Sequence, residues 1–174
     1  MNIFYLHTDR HMNASYHVDQ HVRKMAIETA QMLCTNLRVR FGVEAPFDGP
    51  ERLHRPAYIN HPCTEWVGET FDNFVWTWMF GTALCDEFLY RFGKEHGVRE
   101  VYSTVLSHQQ MYQENWGNVS GMTDRPKCVA PEFKRFDTMT AYRLQYLAKK
   151  RRLFEWTARP VPHWIEDTSW VKEL

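Results

Sequence analysis

The sequence predicts a mostly α-helical protein, a single compact domain over residues 1–174 with about four to five helices and long irregular loops. Three stretches, over residues 15–34, 62–92 and 138–156, repeat apolar residues at the spacing of one helix face. Clusters of glycine and proline separate them, as is typical of loops. A chain of 174 residues is long enough to bury one hydrophobic core.

The first helix, predicted over residues 15–34, carries two neighbouring stripes. The apolar stripe should face the core and contains Val18, Val22, Met25, Thr29, Met32 and Leu33. The polar stripe borders it and contains His17, His21, Lys24, Glu28, Gln31 and Thr35. A polar stripe beside the core lies where a cleft between helices can open, and its side chains suit acid–base chemistry or anion binding. The alternative is a partly exposed flank in which Lys24 pairs with Glu28.

Histidines cluster near the N-terminus, at positions 7, 11, 17 and 21. Two histidines four residues apart on one helix can chelate zinc or iron, so a metal-dependent helical enzyme using His17 and His21 is one alternative. Metalloprotease helices add a glutamate directly after the first histidine, but here Val18 follows His17. We therefore expect no metal and no other cofactor. The four cysteines form no CxxC pair, so neither a zinc knuckle nor a small disulfide scaffold is predicted.

The remaining elements follow in order. Residues 2–6 should form a strand or an extended segment, with Thr8 or Asp9 capping the first helix. Residues 40–62 read as a loop with a basic stretch. Asn60 or His61 should cap a second helix that starts at Pro62 and ends at Gly93. A third helix should reach about residue 110, and an irregular segment should follow. A fourth, capped by Asp137 or Thr138, should run to residue 156.

The fourth helix alternates basic and aromatic residues. Arg143, Lys149, Lys150, Arg151 and Arg152 are interleaved with Tyr142, Tyr146 and Phe154. Such a pattern is typical of single-stranded or flipped-base nucleic-acid sites, because cations contact phosphate and rings stack on bases. The alternative is a solvated, charged helix face. The net charge of zero argues against a strong non-specific nucleic-acid binder but leaves a local basic groove open. No stretch approaches about 18 uninterrupted apolar residues, so we expect a cytoplasmic protein that does not enter membranes.

Two resemblances add to this reading. HVDQHVRKMAIETAQML, NHPCTEWVGETFDNF, EFLYRFGKEH and AYRLQYLAKK resemble a set of uncharacterised, often phage-encoded proteins of similar length. Asp19-Gln20-His21 with Glu28, together with His61-Pro62 and Arg91-Phe92-Gly93, resembles the pyrimidine-dimer DNA glycosylases of the phage endonuclease V type. That resemblance implies a compact helical fold and a catalytic role for Glu28. The family attacks sugar C1′ with the α-amino group exposed by removal of the first methionine. Asn2 should disfavour that processing here, so we expect Met1 to be retained and no imine to form.

The combined prediction is a protein that acts on a nucleic-acid base or a nucleotide in a DNA-glycosylase-like helical cleft, by base excision or base modification. Glu28 is the predicted general base or carbocation stabiliser, with His21 and Lys24 beside it. The predicted substrate-binding residues are His17, Gln31, His61, Asn73, Arg91, Lys94 and Arg143. The alternatives are the metal-dependent enzyme and a non-catalytic, phage-type binding protein.

Overall fold

The computed structural model describes residues 1–108, 116 and 121–173. Its α-helices are α1 (Arg10–Tyr16), α2 (Asp19–Phe41), α3 (Pro62–Glu69), α4 (Phe71–Phe92), α5 (Arg99–Ser107), α6 (Thr138–Lys149) and α7 (His163–Glu166). Short 3₁₀ turns lie at Pro131–Phe133, Arg151–Leu153 and Ser169–Glu173. No strand occurs among these residues, so the predicted mostly α fold is confirmed. None of the described helices is both long and apolar enough to cross a membrane.

The predicted first helix is two helices. α1 ends at Tyr16 and α2 begins at Asp19, while His17 and Val18 between them are extended, with ψ of 140° and 155°. Asp9, one of the two predicted caps, accepts hydrogen bonds from the N–H groups of His11 and Met12 at the start of α1. The break takes His17 off the face of α2. His17 and His21 therefore do not form the i, i+4 pair that the sequence suggested.

The predicted second helix is also broken, at Thr70. His61 caps α3, Pro62 is its first residue, and Gly93 ends α4 in the left-handed region with φ of 66°, all as predicted. Thr70 is extended and caps α4, because its hydroxyl accepts a hydrogen bond from the N–H of Asn73. A side chain that satisfies the first turn of a new helix favours such a restart.

α4 is the central helix of the fold and packs against α1, α2, α3 and α5. Its buried residues join one hydrophobic cluster that extends from Ile3 near the N-terminus to Trp164 in α7. Gly81 lets Tyr102 of α5 approach closely, because a Cβ atom at position 81 would meet the Tyr102 ring. The Tyr102 hydroxyl then donates a 2.6 Å hydrogen bond to the carbonyl of Ala26 in α2. Three helices are joined at this one contact.

The C-terminal part of the chain contains less helix than the sequence predicted. Asp137 caps α6, as expected, but α6 ends at Lys149 and a 3₁₀ turn replaces its predicted continuation to residue 156. α5 ends at Ser107, and the predicted extension to residue 110 and part of the predicted irregular segment lie outside the described residues. Trp164 is buried, and its carbonyl accepts a 2.9 Å hydrogen bond from the Trp170 indole.

A buried ionic network fixes the break between α1 and α2. The Arg91 side chain is 0% exposed and donates to Asp19 at 2.8 Å and to Glu87 at 2.6 Å. It also donates to the carbonyls of Ser15 and His17, which the break leaves without helical partners. Burial raises the pKa of Asp19, but hydrogen bonds from Thr157 and Arg91 outweigh burial and hold that pKa below its ordinary value. The network explains why the chain leaves the helix here.

Candidate functional site

Glu28, the predicted catalytic residue, lies in the middle of α2 and faces the N-terminus. Its Oε2 atom accepts a 3.0 Å hydrogen bond from the N–H of Asn2 and lies 3.6 Å from the α-amino nitrogen of Met1. Its Oε1 atom lies 3.2 Å from Nζ of Lys24, one turn earlier on α2. The Glu28 side chain is 11% exposed, whereas that of Lys24 is 60% exposed. The carboxylate is therefore recessed, between the buried Met1 amine and the exposed Lys24 ammonium.

A further cation, Lys150, lies directly after the end of α6. Burial lowers the pKa of Lys150, and the positive charges of Lys24 and Arg152 lower it further, while Glu28 opposes them. The Lys150 ammonium lies 5.7 Å from the centre of the Phe4 ring. Met1, Lys24, Glu28 and Lys150, which we call the Glu28 cluster, thus bring one α-amino group and two lysines toward one carboxylate. A surplus of positive charge around a recessed acceptor suits an anionic ligand.

His21 forms part of the wall behind the cluster. Its ring stacks on Phe4, with centroids 4.6 Å apart and planes at 12°, and its Nδ1 atom is 2.6 Å from the hydroxyl oxygen of Tyr146. Burial lowers the pKa of His21 to about 3, with the charges of Lys150 and Lys24 acting in the same direction. His21 is therefore neutral at physiological pH and orients its neighbours instead of carrying a proton as imidazolium.

A thiol and imidazole group adjoins the cluster on the α3 side. His61 and Cys63 stand at the start of α3, and Cys128 comes from the segment before α6. One potential ligand atom from each lies within 4.8 Å of the others. The two sulfur atoms are 3.6 Å apart, and the hydrogen bond between them lowers the pKa of Cys128 to about 7. Burial and then the positive charge of the N-terminus lower the pKa of His61.

Asn2 joins this group to the Glu28 cluster. Its N–H binds Glu28, and its side-chain amide donates to the carbonyl of Cys128 at 3.0 Å. Its side-chain oxygen accepts from the Tyr142 hydroxyl at 3.0 Å and lies 3.8 Å from the Cys63 sulfur. One residue from the N-terminal segment therefore spans both halves of the site.

Of the predicted site residues, Glu28, Lys24 and His61 come together at the N-terminus, with His21 behind them. Arg91 does not reach this site, because its guanidinium is buried in the network with Asp19 and Glu87. The prediction that it contacts an anion is thus corrected to a structural role. His17 is also removed from any surface. It is fully buried, its Nδ1 atom lies 2.7 Å from the Asn13 carbonyl oxygen, and burial lowers its pKa to about 4.

The other predicted contacts are dispersed. Asn73 is buried and ties α4 to Thr123 through two hydrogen bonds, one of 2.8 Å and one of 3.1 Å. Arg143 donates two hydrogen bonds to the carbonyl of Leu6 and lies over the Trp164 ring. Lys94 is exposed and lines a separate cavity with Phe92 and two other residues. Gln31 lies half-buried on α2 one turn before Thr35, whose hydroxyl donates to its carbonyl.

One further expectation fails on burial. Tyr142 and Tyr146 are both 0% exposed, so the rings that were expected to stack on bases instead fill the core. The alternative metal site at His17 and His21 stays a prediction. Neither histidine belongs to a group of three potential ligands within the described residues, and both Nδ1 atoms have partners inside the protein, while Nε2 of His17 has none.

Comparisons with known proteins leave the assignment to the site itself. No protein-family model, curated protein or solved structure matches this chain.

Several residues of the site were not predicted. Asn2, Cys63 and Cys128 lie far apart in sequence, and Asn2 and Tyr142 are separated by 140 positions. No local spacing marks such a set, because only the tertiary fold brings it together. The clearest signal in the sequence was Cys63, which follows the predicted cap His61 and Pro62 at the start of a helix, where backbone N–H groups favour anions.

Proposed function

We propose that the Glu28 cluster binds a nucleotide or a nucleic-acid strand and that Glu28 acts on the sugar or base held there. The observation that carries this proposal is the recessed Glu28 carboxylate, which has cations from three separate segments around it. Phosphate is an anion that such a group of ammonium ions suits, and a nucleotide bound by its phosphate would bring its sugar and base toward the carboxylate.

The Glu28 carboxylate keeps a position for a further hydrogen-bond donor. An ionised carboxylate offers about four lone-pair positions. The Asn2 N–H, the Met1 amine and the Lys24 ammonium account for three neighbours. A remaining position can accept from water that attacks an electrophilic carbon, or can face positive charge developing at a sugar carbon. Both roles agree with the glycosylase resemblance, and neither requires the Met1 amine to form an imine.

The protein scaffold holds Glu28 on rigid elements. Residues of α2 on either side of Glu28 are buried in the core, including Met25, Ala26 and Thr29. The Tyr102 hydroxyl fixes the carbonyl of Ala26 from α5. A general base needs such fixed geometry, because its contribution depends on hydrogen-bond reach to the reacting group.

Binding is the first test. Fluorescence anisotropy with labelled single-stranded and duplex DNA, at low and raised salt, should show salt-dependent binding that Lys24→Ala and Lys150→Ala weaken. Lys94→Ala removes the same charge from a separate cavity and should leave affinity unchanged. Equal affinity in all variants would place the ligand elsewhere and overturn the proposal.

Turnover is the second test. Oligonucleotides that carry abasic, dimerised, deaminated or methylated bases, and free nucleotides, are incubated with the protein, and mass spectrometry follows loss or change of a base. We expect a product with wild-type protein and none with Glu28→Gln. Binding without any product would end the catalytic part of the proposal and favour a binding protein.

A further inference from the structure

His61, Cys63 and Cys128 form a three-residue group whose chemistry the sequence did not suggest. Their potential ligand atoms all lie within 4.8 Å of one another, although 65 positions separate the two cysteines. Cys63 is buried, while His61 and Cys128 are partly exposed, so an ion can reach the group from solvent. Imidazole with two thiolates is a common ligand set for zinc in proteins.

The sulfur–sulfur distance matches a metal site. With Zn–S bonds of about 2.3 Å and tetrahedral angles, two coordinated sulfurs lie about 3.8 Å apart. The Cys63 and Cys128 sulfurs are 3.6 Å apart. A disulfide would require about 2.05 Å, and both cysteines are free thiols in the structure. The observed spacing therefore favours an ion bridging the sulfurs over a bond between them.

The backbone around each sulfur is already fixed by hydrogen bonds. Cys63 lies in the first turn of α3. The N–H of Cys128 donates to the Tyr142 hydroxyl at 3.2 Å, and its carbonyl accepts from the Asn2 side chain at 3.0 Å. Metal sites depend on such surrounding contacts, which orient the ligands before the ion arrives.

We propose that His61, Cys63 and Cys128 bind a zinc ion with three protein ligands and a fourth, exchangeable position. Thiolate ligands disfavour magnesium and calcium, which take oxygen, and they favour zinc among common divalent ions. The His61 Nδ1 atom accepts a 3.1 Å hydrogen bond from the N–H of Cys63. A neutral imidazole that ligates a metal has no second lone pair, so binding replaces this bond.

The site does not depend on the nucleic-acid proposal, because it follows from the ligand atoms alone. A zinc ion with three protein ligands polarises water at its open position. Asn2 contacts both Glu28 and the Cys128 carbonyl, so the ion would lie in the same corner of the protein as Glu28. Zinc content is measured without any substrate, so failure of one proposal leaves the other standing.

The test uses reduced protein from which any affinity tag has been cleaved, loaded with zinc and dialysed against metal-free buffer. Elemental analysis should find about one zinc per chain. Cobalt in place of zinc should give a thiolate-to-metal charge-transfer band. Zinc retention should fall at least tenfold in each of three variants, Cys63→Ser, Cys128→Ser and His61→Asn. Asparagine is chosen at position 61 because it retains a helix-capping side chain. Cys34→Ala and Cys85→Ala, which change buried cysteines outside the group, should retain zinc.

A folding defect in a variant does not remove the test, because wild-type protein has its own readouts. Zinc should raise its melting temperature in proportion to the logarithm of zinc concentration, as expected for a ligand that binds only the folded state. Wild-type protein that keeps no zinc and shows no cobalt–thiolate band would overturn the proposal. Unchanged zinc retention in Cys63→Ser and Cys128→Ser would also overturn it. A third contradicting result is a Cys63–Cys128 disulfide in protein whose reduced form takes up no metal.

Discussion

The Arg91 guanidinium and the Asp19 carboxylate form a 2.8 Å ion pair where the chain passes from α1 to α2. Arg91 also pairs with Glu87, and Arg159 approaches the other side of Glu87 at 2.8 Å. Two carboxylates and a guanidinium buried together are stable only as a complete set, because each charge left without a partner keeps its full desolvation cost.

Arg91→Ala should therefore lower the free energy of unfolding by about 3–5 kcal/mol. Urea denaturation followed by circular dichroism measures the change. Arg99→Ala is the matched control, since its ion pair with Asp86 is exposed and should contribute about 0–1 kcal/mol. A similar small loss for both variants would contradict the structural role given to Arg91.

Stability should also fall as pH drops below neutral, because of His17 and His21. Their folded-state pKa values are about 4 and about 3, against 6.5 for an exposed histidine. Between these values the unfolded chain binds protons that the folded protein excludes, so acid favours unfolding, by at most about 1.4 kcal/mol per pH unit for each histidine. Above pH 6.5 both states are neutral and the effect disappears.

Urea midpoints measured from pH 8 to pH 4.5 check this dependence. His21→Gln should flatten the fall, since the glutamine amide can form a hydrogen bond with the Tyr146 hydroxyl but does not titrate. His11→Gln changes an exposed histidine and should leave the slope as in wild type. The pKa values of the Asp19 and Glu87 carboxyls lie below their ordinary values. Protonation of these carboxyls therefore lowers the free energy of unfolding only at lower pH.

The four basic residues at and just after the end of α6 should fall into two pairs that differ in their effect on nucleic-acid binding. Lys150 belongs to the Glu28 cluster, and the charge of Arg152 helps to lower its pKa, which burial lowers most. Lys149 instead approaches Glu132 at 3.9 Å, and Arg151 donates to the carbonyl of Leu147. If the cluster holds phosphate, Lys150→Ala with Arg152→Ala should weaken nucleic-acid binding and reduce the salt slope by about one unit for each phosphate that is no longer neutralised. Lys149→Ala with Arg151→Ala should change both less. Equal effects would indicate a diffuse electrostatic surface.

Gly81 should be intolerant of alanine. A Cβ atom there would overlap the Tyr102 ring, whose hydroxyl is held by the Ala26 carbonyl, so the ring has no free direction in which to move. Gly81→Ala should cost about 1–3 kcal/mol or more, as overpacking does. Gly97 has open space around it and a φ that other residues adopt, so Gly97→Ala should be close to neutral. Thermal denaturation of both variants decides.

The helical fold was predictable because its signals are local. The Asp9, His61 and Asp137 caps and the Gly93 stop each depend on side chains within a few residues of a helix end. The breaks at His17–Val18 and Thr70 were not predicted. The first depends on Arg91, which is 74 positions from the His17 carbonyl that it binds. Periodicity continues smoothly through such a break, so only the tertiary contact reveals it.

The site was predictable only along one helix. Lys24 and Glu28 face each other because their spacing on α2 is fixed by helix geometry. The tertiary fold brings together Asn2, Cys63 and Cys128, which are distant in sequence. Three other predicted site residues are buried and form hydrogen bonds with groups inside the protein: His17, Asn73 and Arg91. A polar residue within an apolar helix is thus a poor guide to ligand contact.

Glu28→Gln makes the sharpest prediction. Glutamine keeps an acceptor for the N–H of Asn2 but leaves the recessed Met1 amine without a counter-charge, so stability should fall by about 1–3 kcal/mol. Loss of a positioned general base should lower turnover by about 10²–10⁴-fold. Lys24→Gln is the matched control, because it removes one ion pair of Glu28 and spares the carboxylate. If Glu28 acts only through its pairing, the two variants should lose function together and in proportion to stability. If Glu28 is the base, Glu28→Gln should lose turnover at unchanged substrate affinity, while Lys24→Gln should mainly weaken binding. Melting temperature, affinity and rate measured on both variants separate these outcomes.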